Sequence, residues 1–342
     1  MSLNTNERLQ EALSLAIEDR STGYQDLVSN ANVLLAIMKS KGMWKPFEGP
    51  TIRERLLYNE SGTYTRYSGY QFLNPKPAEL VNDAEFTPKM AAVSVVLSME
   101  EILQNSGSTA QLLNIMETHL EAAETELEDR FVEDLHSNGT ADGGRQIGGL
   151  QLAIPTDPTT GTYGGISRAD NAIWRPSAYD ADTFSWDQTS ATQVTSASIK
   201  PMYNQIVIER SRGKTGPDLI LAAQEHYGAY MAATEAIQRI SDGGGMAAKL
   251  GFPALKFYGA GKSMDVVLEG GIGSAMPSDT TYFMATDHIC FRYHKDRNFS
   301  KFGGKQTPVN QDAVVQHIGF YGELTLKNPL HMAKLYDSDT AS

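Results

Sequence analysis

Apolar residues recur at helical spacing twice near the N-terminus. Leu9, Leu13 and Ile17 share one face over 6–20, and Leu27, Val33, Leu34 and Ile37 share one over 24–40. This predicts two short amphipathic helices, closed by Gly42 and Pro50. Little local chain is available to cover their apolar faces. The arm is therefore expected to pack on a distant part of the fold or on a neighbouring molecule. Over 51–73 the chemistry turns extended, with Ile52, Tyr58, Tyr64, Thr65, Tyr67, Tyr70 and Phe72. Asn59-Glu60-Ser61-Gly62 interrupts this run as a turn would. The pattern predicts a long β-hairpin with its tip near 60–62, decorated by Arg53, Arg55 and Arg66. A two-stranded ribbon is marginal alone in water, so it is either a sheet edge or an excursion that leans on something else. Asn74-Pro75-Lys76-Pro77 marks a break.

Met90, Val93, Val95, Val96 and Leu97 make 86–98 a candidate buried strand. The clearest periodicity follows. Ser108 with Gln111 reads as a capping box, and Leu112, Met116, Leu120, Ala123, Leu127, Phe131 and Leu135 recur at steps of three or four. Asn138-Gly139 supplies the stop. The expected helix over 108–138 is about 29 residues, or roughly 43 Å, long for a globular protein. Residues 139–191 are rich in Gly, Thr, Asp and Pro without periodicity, a long loop region of the sort kept for a purpose. Helices are expected at Ile199–Arg210 and over 224–240, the latter broken by Gly243-Gly244-Gly245, with a short strand at 219–221 between them. Strands are expected over 255–258, 264–268, 281–293 and 313–326. Such mixed order indicates an α+β fold rather than a doubly wound sheet.

A chain of 342 residues exceeds a single core at roughly 150 residues per domain, so about two domains are expected, without metal or disulfide staples. The net charge of −12 argues against a coat that grips phosphates through a basic surface. That charge is uneven. Residues 81–140 carry 2 basic and 12 acidic groups, net −10, directly after a slightly basic 41–80. Glu117, Glu121, Glu124, Glu126, Glu128, Asp129, Glu133 and Asp134 all fall on the long helix, against Arg130 alone. They read either as a solvated face or as a surface that must not adhere to a polyanion. No run approaches ~18 apolar residues and the N-terminus lacks an apolar signal core, so neither a membrane span nor a secretory leader is expected. The one cysteine, Cys290, sits in an apolar run and is expected to be a buried structural thiol.

Catalytic and ligand motifs fail on inspection. Gly259-Ala260-Gly261-Lys262-Ser263 imitates the end of a phosphate loop, but Lys256 stands where the first glycine is needed, and a strand follows instead of a helix. The 7 histidines show no HExxH spacing, and His288 and His294 are poorly spaced for a metal. No GxSxG elbow or EF-hand loop is present. No catalytic residue, cofactor site or metal site is assigned, and dispersed basic residues argue against a module that reads nucleic-acid sequence. Long projections without a visible active site favour an assembly protein.

The segment after the long helix supports a more specific reading. DLHSNGTADGGRQIGGLQLAI (134–154), PTTGTYGGISR (158–168) and Trp174-Arg175 resemble the signature of tailed-bacteriophage major capsid proteins with the Hong Kong 97-type fold. The element order is also similar. The specific match covers about 80–190, and the match over 195–335 is one of pattern. The resemblance implies an N-terminal arm at 1–45, an extended β-hairpin loop at 46–80 lying on an adjacent subunit, and a peripheral domain at 81–145 with the long helix as its spine. It further implies an axial domain at 146–305 and C-terminal strands at 306–342 returning to the peripheral domain.

The same resemblance implies an icosahedral shell of pentamers and hexamers that encloses double-stranded DNA without specific readout, in a virion assembled in the bacterial cytoplasm. Portal and decoration proteins would be further partners, with no membrane. Some relatives carry an N-terminal scaffolding segment that is cleaved. With about 45 residues before the hairpin and Met1 present, a separate scaffolding protein is the expectation. Some relatives crosslink Lys to Asn; nothing here selects a pair among Lys45, Lys76 and the asparagines, and none is expected. Two alternatives stay open: an encapsulin-type shell around cargo enzymes, and a cytoplasmic α+β enzyme with an unrecognised site.

Overall fold

The computed structural model describes residues 32–57, 64–71, 81–100, 109–186, 189–190, 193–234, 249–250, 254–269, 275–306 and 312–338. The helix expected over 6–20, the hairpin tip at 60–62, the 74–77 break, the Ser108 cap and the Gly243-Gly245 break lie outside these residues.

Helix α1 (Val33–Ser40) opens the described chain, with the Asn32 side chain accepting from the backbone N–H of Leu34 at 2.8 Å. All six residues from Val33 to Met38 are buried. The expected half-covered arm helix is therefore a core element of its own chain. The reason is local: Leu35, Ala36 and Met38 fill the would-be polar face, and a helix apolar all round must be enclosed. Strand β1 (Trp44–Phe47) follows, then β2 (Ile52–Leu57), β3 (Val81–Phe86) and β4 (Lys89–Ser98).

The hairpin differs from expectation. β2 pairs antiparallel with β3, from Ile52↔Phe86 to Leu57↔Val81, and residues 64–71 form no strand. Tyrosines at 64, 67 and 70 are three apart, so a strand would send them to alternate faces. In contrast, β2 and β3 alternate in step: Ile52, Glu54, Leu56, Ala84 and Phe86 are buried, while Arg53–Glu85 and Arg55–Asp83 pair outside. The excursion between β2 and β3 thus spans residues 58–80.

Helix α2 (Thr109–Leu135) has 27 residues, about 40 Å at the usual rise. Leu120, Ala123, Leu127, Phe131 and Leu135 are buried as the spacing requires. Phe131 is the centre of an aromatic cluster with Trp44, Phe291, Phe299 and Phe320, ring centroids 5.2–6.3 Å away. Apart from two-residue strands at 162–163, 166–167, 185–186 and 189–190, the remaining strands among the described residues are β5 (Ser177–Asp180), β6 (Leu219–Ala222), β7 (Ala254–Gly259), β8 (Lys262–Leu268), β9 (Thr280–Met284), β10 (Ile289–His294), β11 (Ser300–Gln306), β12 (Ala313–Leu326) and β13 (Ala333–Tyr336). Helices α3 (Ile199–Arg210) and α4 (Gln224–Thr234) flank β6.

Two sheets result. One has the order β1-β10-β12-β11, with β4 antiparallel to β12 along ten residue pairs, and packs on α1 and α2. The other has six strands in the order β7-β8-β6-β9-β13-β5, with α3 and α4 over it. The segment 281–293, expected as one strand, divides at a 3-10 turn (Thr286–His288), and its halves enter different sheets. Asp218 holds that turn by accepting from the Thr286 backbone N–H at 2.7 Å. The C-terminal strands also divide. β12 lies in the first sheet, while β13 pairs with β9 and β5 in the second instead of returning with it. β4 is only half buried, with Met90 74% and Val96 44% exposed, because its side chains alternate and only one face meets α2.

Candidate functional site

Three stretches of chain pass between the sheets: the Gly-rich segment after α2 leading to β5, residues 285–288, and residues 327–332. Two of them touch directly, where the turn Ala172–Trp174 packs on the turn Pro329–His331. The signature residues build this junction. Gly149 sits against the end of α2, where a Cβ would lie 2.3 Å from the carbonyl oxygens of both Asp134 and Leu135. Gly148 donates its N–H to Glu323 at 2.7 Å. Gly164, at φ +58°, lies on β3: its carbonyl accepts from Glu85 at 2.9 Å, and a Cβ would meet the Phe86 ring at 2.8 Å. Tyr163 packs edge-on against Phe86 and donates to the Leu324 carbonyl at 3.4 Å. Trp174 donates its indole N–H to the Tyr163 carbonyl at 2.9 Å. Arg168 reaches the Leu152 and Ala153 carbonyls at 2.7 and 3.1 Å, and Arg175 the carbonyls of Arg168 and Ala169. The polar heads of Tyr163, Arg168, Trp174 and Arg175 all serve backbone groups, so this part of the motif is a weld between α2, the hairpin base and β12.

Buried charges reinforce the same region. Glu54, on the hairpin strand β2, accepts from Arg292 at 2.5 and 2.6 Å, and Lys327 stands 3.9 Å away. Its pairing fixes the hairpin root to the five-stranded sheet. Glu54→Leu leaves Arg292 uncompensated, which for a buried pair costs about 3–5 kcal/mol, here discounted toward ~2 because Arg292 is partly exposed. Chemical denaturation should show that loss as a lowered midpoint. Elsewhere Glu269 accepts from Asn32 and meets His136 at 3.1 Å, tying α1, the end of α2 and the six-stranded sheet together. Lys41 donates to Asp218 at 2.6 Å and Asp287 at 2.9 Å.

Glu323 has no cation at contact distance among the described residues, and burial holds its carboxyl up at about 8, against the Gly148 hydrogen bond and distant Lys89. Burial also lifts nearby Asp134 to about 6. The folded pKa of Glu323 lies above its unfolded value, so its favourable contribution is complete at acid pH and is lost as pH rises toward about 8. Glu323→Gln should therefore narrow the difference in melting temperature between pH 6 and pH 8.5, measured by calorimetry. An unchanged difference would remove Glu323 as its source.

The surfaces are of three kinds. Tyr64, Tyr67 and Tyr70 are 83%, 65% and 104% exposed. The outer face of β4 shows Met90, Ala92 and Val96, and no strand pairs with its free edge among the described residues. On α2, Glu121, Glu126, Asp129 and Glu133 are exposed, with Arg130 paired to Glu133 at 2.7 Å.

The other residues singled out by sequence have plain roles. Cys290 is buried, burial raises its pKa, and its thiol donates to the Met43 carbonyl at 3.0 Å. Gly259-Ala260-Gly261-Lys262-Ser263 is the tight turn between β7 and β8, with Ala260 and Gly261 both at positive φ. His294 lies against Phe47 and Tyr321, and His288 stacks on His331. Among the described residues, no group of three or more His, Cys, Asp or Glu is placed to hold a metal ion, and no helix is long and apolar enough to cross a membrane. Sequence reasoning missed Glu54, Glu323, Asn32 and His331. Only Glu54 carried a signal, as the inward position between Arg53 and Arg55.

No protein-family profile matches the chain, and no curated protein matches it. Solved structures do. A capsid chain of cyanophage A-1(L) superposes with a TM-score of 0.58 at 14% identity, covering 86% of this chain and 90% of that one. A capsid chain of an empty GTA particle gives 0.51 at 9% identity, covering 87% and 95%. A chain of the satellite phage P4 procapsid gives 0.50 at 7%, covering 99% and 100%. At these identities the likeness is one of architecture, and it spans nearly the whole chain: the protein has the α+β Hong Kong 97-type fold of capsid-shell subunits.

Proposed function

We propose that this protein is the major capsid protein of a tailed phage, a structural subunit that assembles into an icosahedral shell around double-stranded DNA. The observation that carries this reading is the near-complete superposition on capsid-shell chains, together with the exposed tyrosines at 64, 67 and 70. The tyrosine segment 64–70 would lie on an adjacent copy. Residues 81–145 with β12 would form the peripheral domain, and the six-stranded sheet with α3 and α4 the axial domain around five-fold and six-fold axes. Repeated modest contacts of this sort close shells by symmetry. The junction described above is a stiff core for such a subunit, and its chemistry supports structure over catalysis.

The exposed carboxylates of α2 would face the lumen, where like charge deters the packaged duplex over a screening length of about 8–10 Å. A separate scaffolding protein and a portal are the partners this reading implies, a decoration protein is an optional addition, and the virion capsid is its location. The test is to isolate particles that contain the chain and digest them with nuclease before opening them. Protected genome-length DNA is the expected content. Protein cargo without DNA would replace this reading with a cargo compartment.

A further inference from the structure

At the root of the hairpin, strand β2, the Gly-rich segment and the passages at 285–288 and 327–332 enclose a cavity of about 240 Å³. Leu56, Ile166 and Trp174, all buried, give it an apolar floor. The indole bond to the Tyr163 carbonyl holds Trp174 in place. Ile173 also lines the cavity and is 50% exposed. The charged part of the lining is cationic, Arg55 and Lys327, joined by the half-buried ring of His288 and the amide of Asn328. No Asp or Glu among the described residues lines it. From this lining we propose that the cavity binds a small carboxylate with an apolar tail, the tail lying on Trp174 and Ile173 and the carboxylate meeting Arg55 and Lys327.

Both cations can serve a ligand. Lys327 Nζ stands 3.9 Å from Glu54, whose carboxylate is committed to Arg292 at 2.5 Å. Arg55 is 4.0 Å from Asp83, and its side chain is 82% exposed. Both separations exceed hydrogen-bond length, so an arriving carboxylate gains charge-assisted bonds without breaking shorter ones. Asn328 commits its side-chain oxygen to the Leu330 N–H at 3.2 Å, and its amide nitrogen is the end that can donate to the same anion. The Lys327 backbone N–H donates to the His288 carbonyl at 2.9 Å, which fixes these two walls. A site formed before the ligand arrives loses little affinity to reorganisation. The mixed lining selects for both halves of the ligand. A bare anion leaves the apolar surface wet, and a neutral apolar molecule brings the cations no partner. The volume lies below the roughly 300–1,000 Å³ of drug-sized sites, which limits the tail to a short alkyl chain or a single ring. Bound there, the ligand touches β2, the Gly-rich segment and both passages at once, and so adds to the Glu54 pairing at the hairpin root.

The cavity belongs to the single chain, so its test is separate from that of the capsid reading. The full chain is titrated with hexanoate by ligand-observed NMR, with acetate and 1-hexanol as the two half-ligands. Saturable hexanoate binding with a Kd on the order of 1 mM is expected for so small a molecule. Acetate and 1-hexanol should each bind at least about tenfold more weakly, the loss of one charge-assisted bond or of a few buried methylenes. Lys327→Gln should raise the hexanoate Kd about tenfold. Arg55→Gln, at an exposed side chain, should also weaken hexanoate and stands in if the Lys327 variant does not fold. Ile173→Gln should weaken hexanoate and leave acetate unchanged. The absence of saturable hexanoate binding up to about 20 mM, well above the expected Kd, overturns the proposal. So does 1-hexanol binding as tightly as hexanoate, or a hexanoate Kd that neither Lys327→Gln nor Arg55→Gln changes.

Discussion

Gly149→Ala is expected to destabilise the subunit by at least about 3 kcal/mol, at the upper end of single-site effects. The added methyl would lie 2.3 Å from two backbone oxygens at the end of α2, and backbone cannot yield as the tip of a side chain can. Relief requires α2 and the Gly-rich segment to separate. Gly148, next in the chain, would then lose its hydrogen bond to Glu323, which is buried and has little else to satisfy it. For a chain of this size, at about 2 cal/mol/K of unfolding entropy per residue, the loss corresponds to a fall in melting temperature of roughly 4 °C. Differential scanning calorimetry measures it directly. A change under about 2 °C would show that the junction is not the rigid weld described here.

Tyr64→Ser, Tyr67→Ser and Tyr70→Ser combined should do the opposite: leave the subunit folded and remove its assembly. All three side chains are exposed, so their loss costs the isolated chain almost nothing. Buried in an interface, aromatic anchors of this kind are worth about 2 kcal/mol or more each. Because every subunit makes the contact, the concentration needed for assembly should rise at least 100-fold, on about 1.4 kcal/mol per factor of ten. Light scattering against concentration reads this, with circular dichroism confirming the fold. Unchanged assembly would place the subunit contact elsewhere.

Legibility followed the range of each interaction. The α2 stripe through Phe131 was visible because helical spacing is local, and the buried positions matched it. The hairpin was visible as extended chain, but its partner was not. β2 chose β3 across residues 58–80 because the alternation of Ala84 and Phe86 with Asp83 and Glu85 complements it, a match made at long range. α1 was read as amphipathic from four apolar positions, although the intervening Leu35, Ala36 and Met38 fill its other face. In the junction, the glycines and the Trp174-Arg175 pair stood out as a resemblance, while their chemistry stayed hidden. Glu323 and Glu54 become significant only when β12 and β2 bury them, and His288 meets His331 only because both crossovers pass the same point. Nothing in the spacing of single charged residues announces such meetings.

The central claim is that this fold exists to build a closed shell. The most direct measurement is cryo-electron microscopy of the chain expressed in bacterial cells, with sedimentation of the same lysate. The account predicts closed particles, even if of irregular diameter without a scaffolding protein, with five-fold and six-fold rings and residues 64–70 seated on a neighbouring copy. A chain that stays monomeric at every concentration, with Tyr64, Tyr67 and Tyr70 still open to solvent, would contradict it.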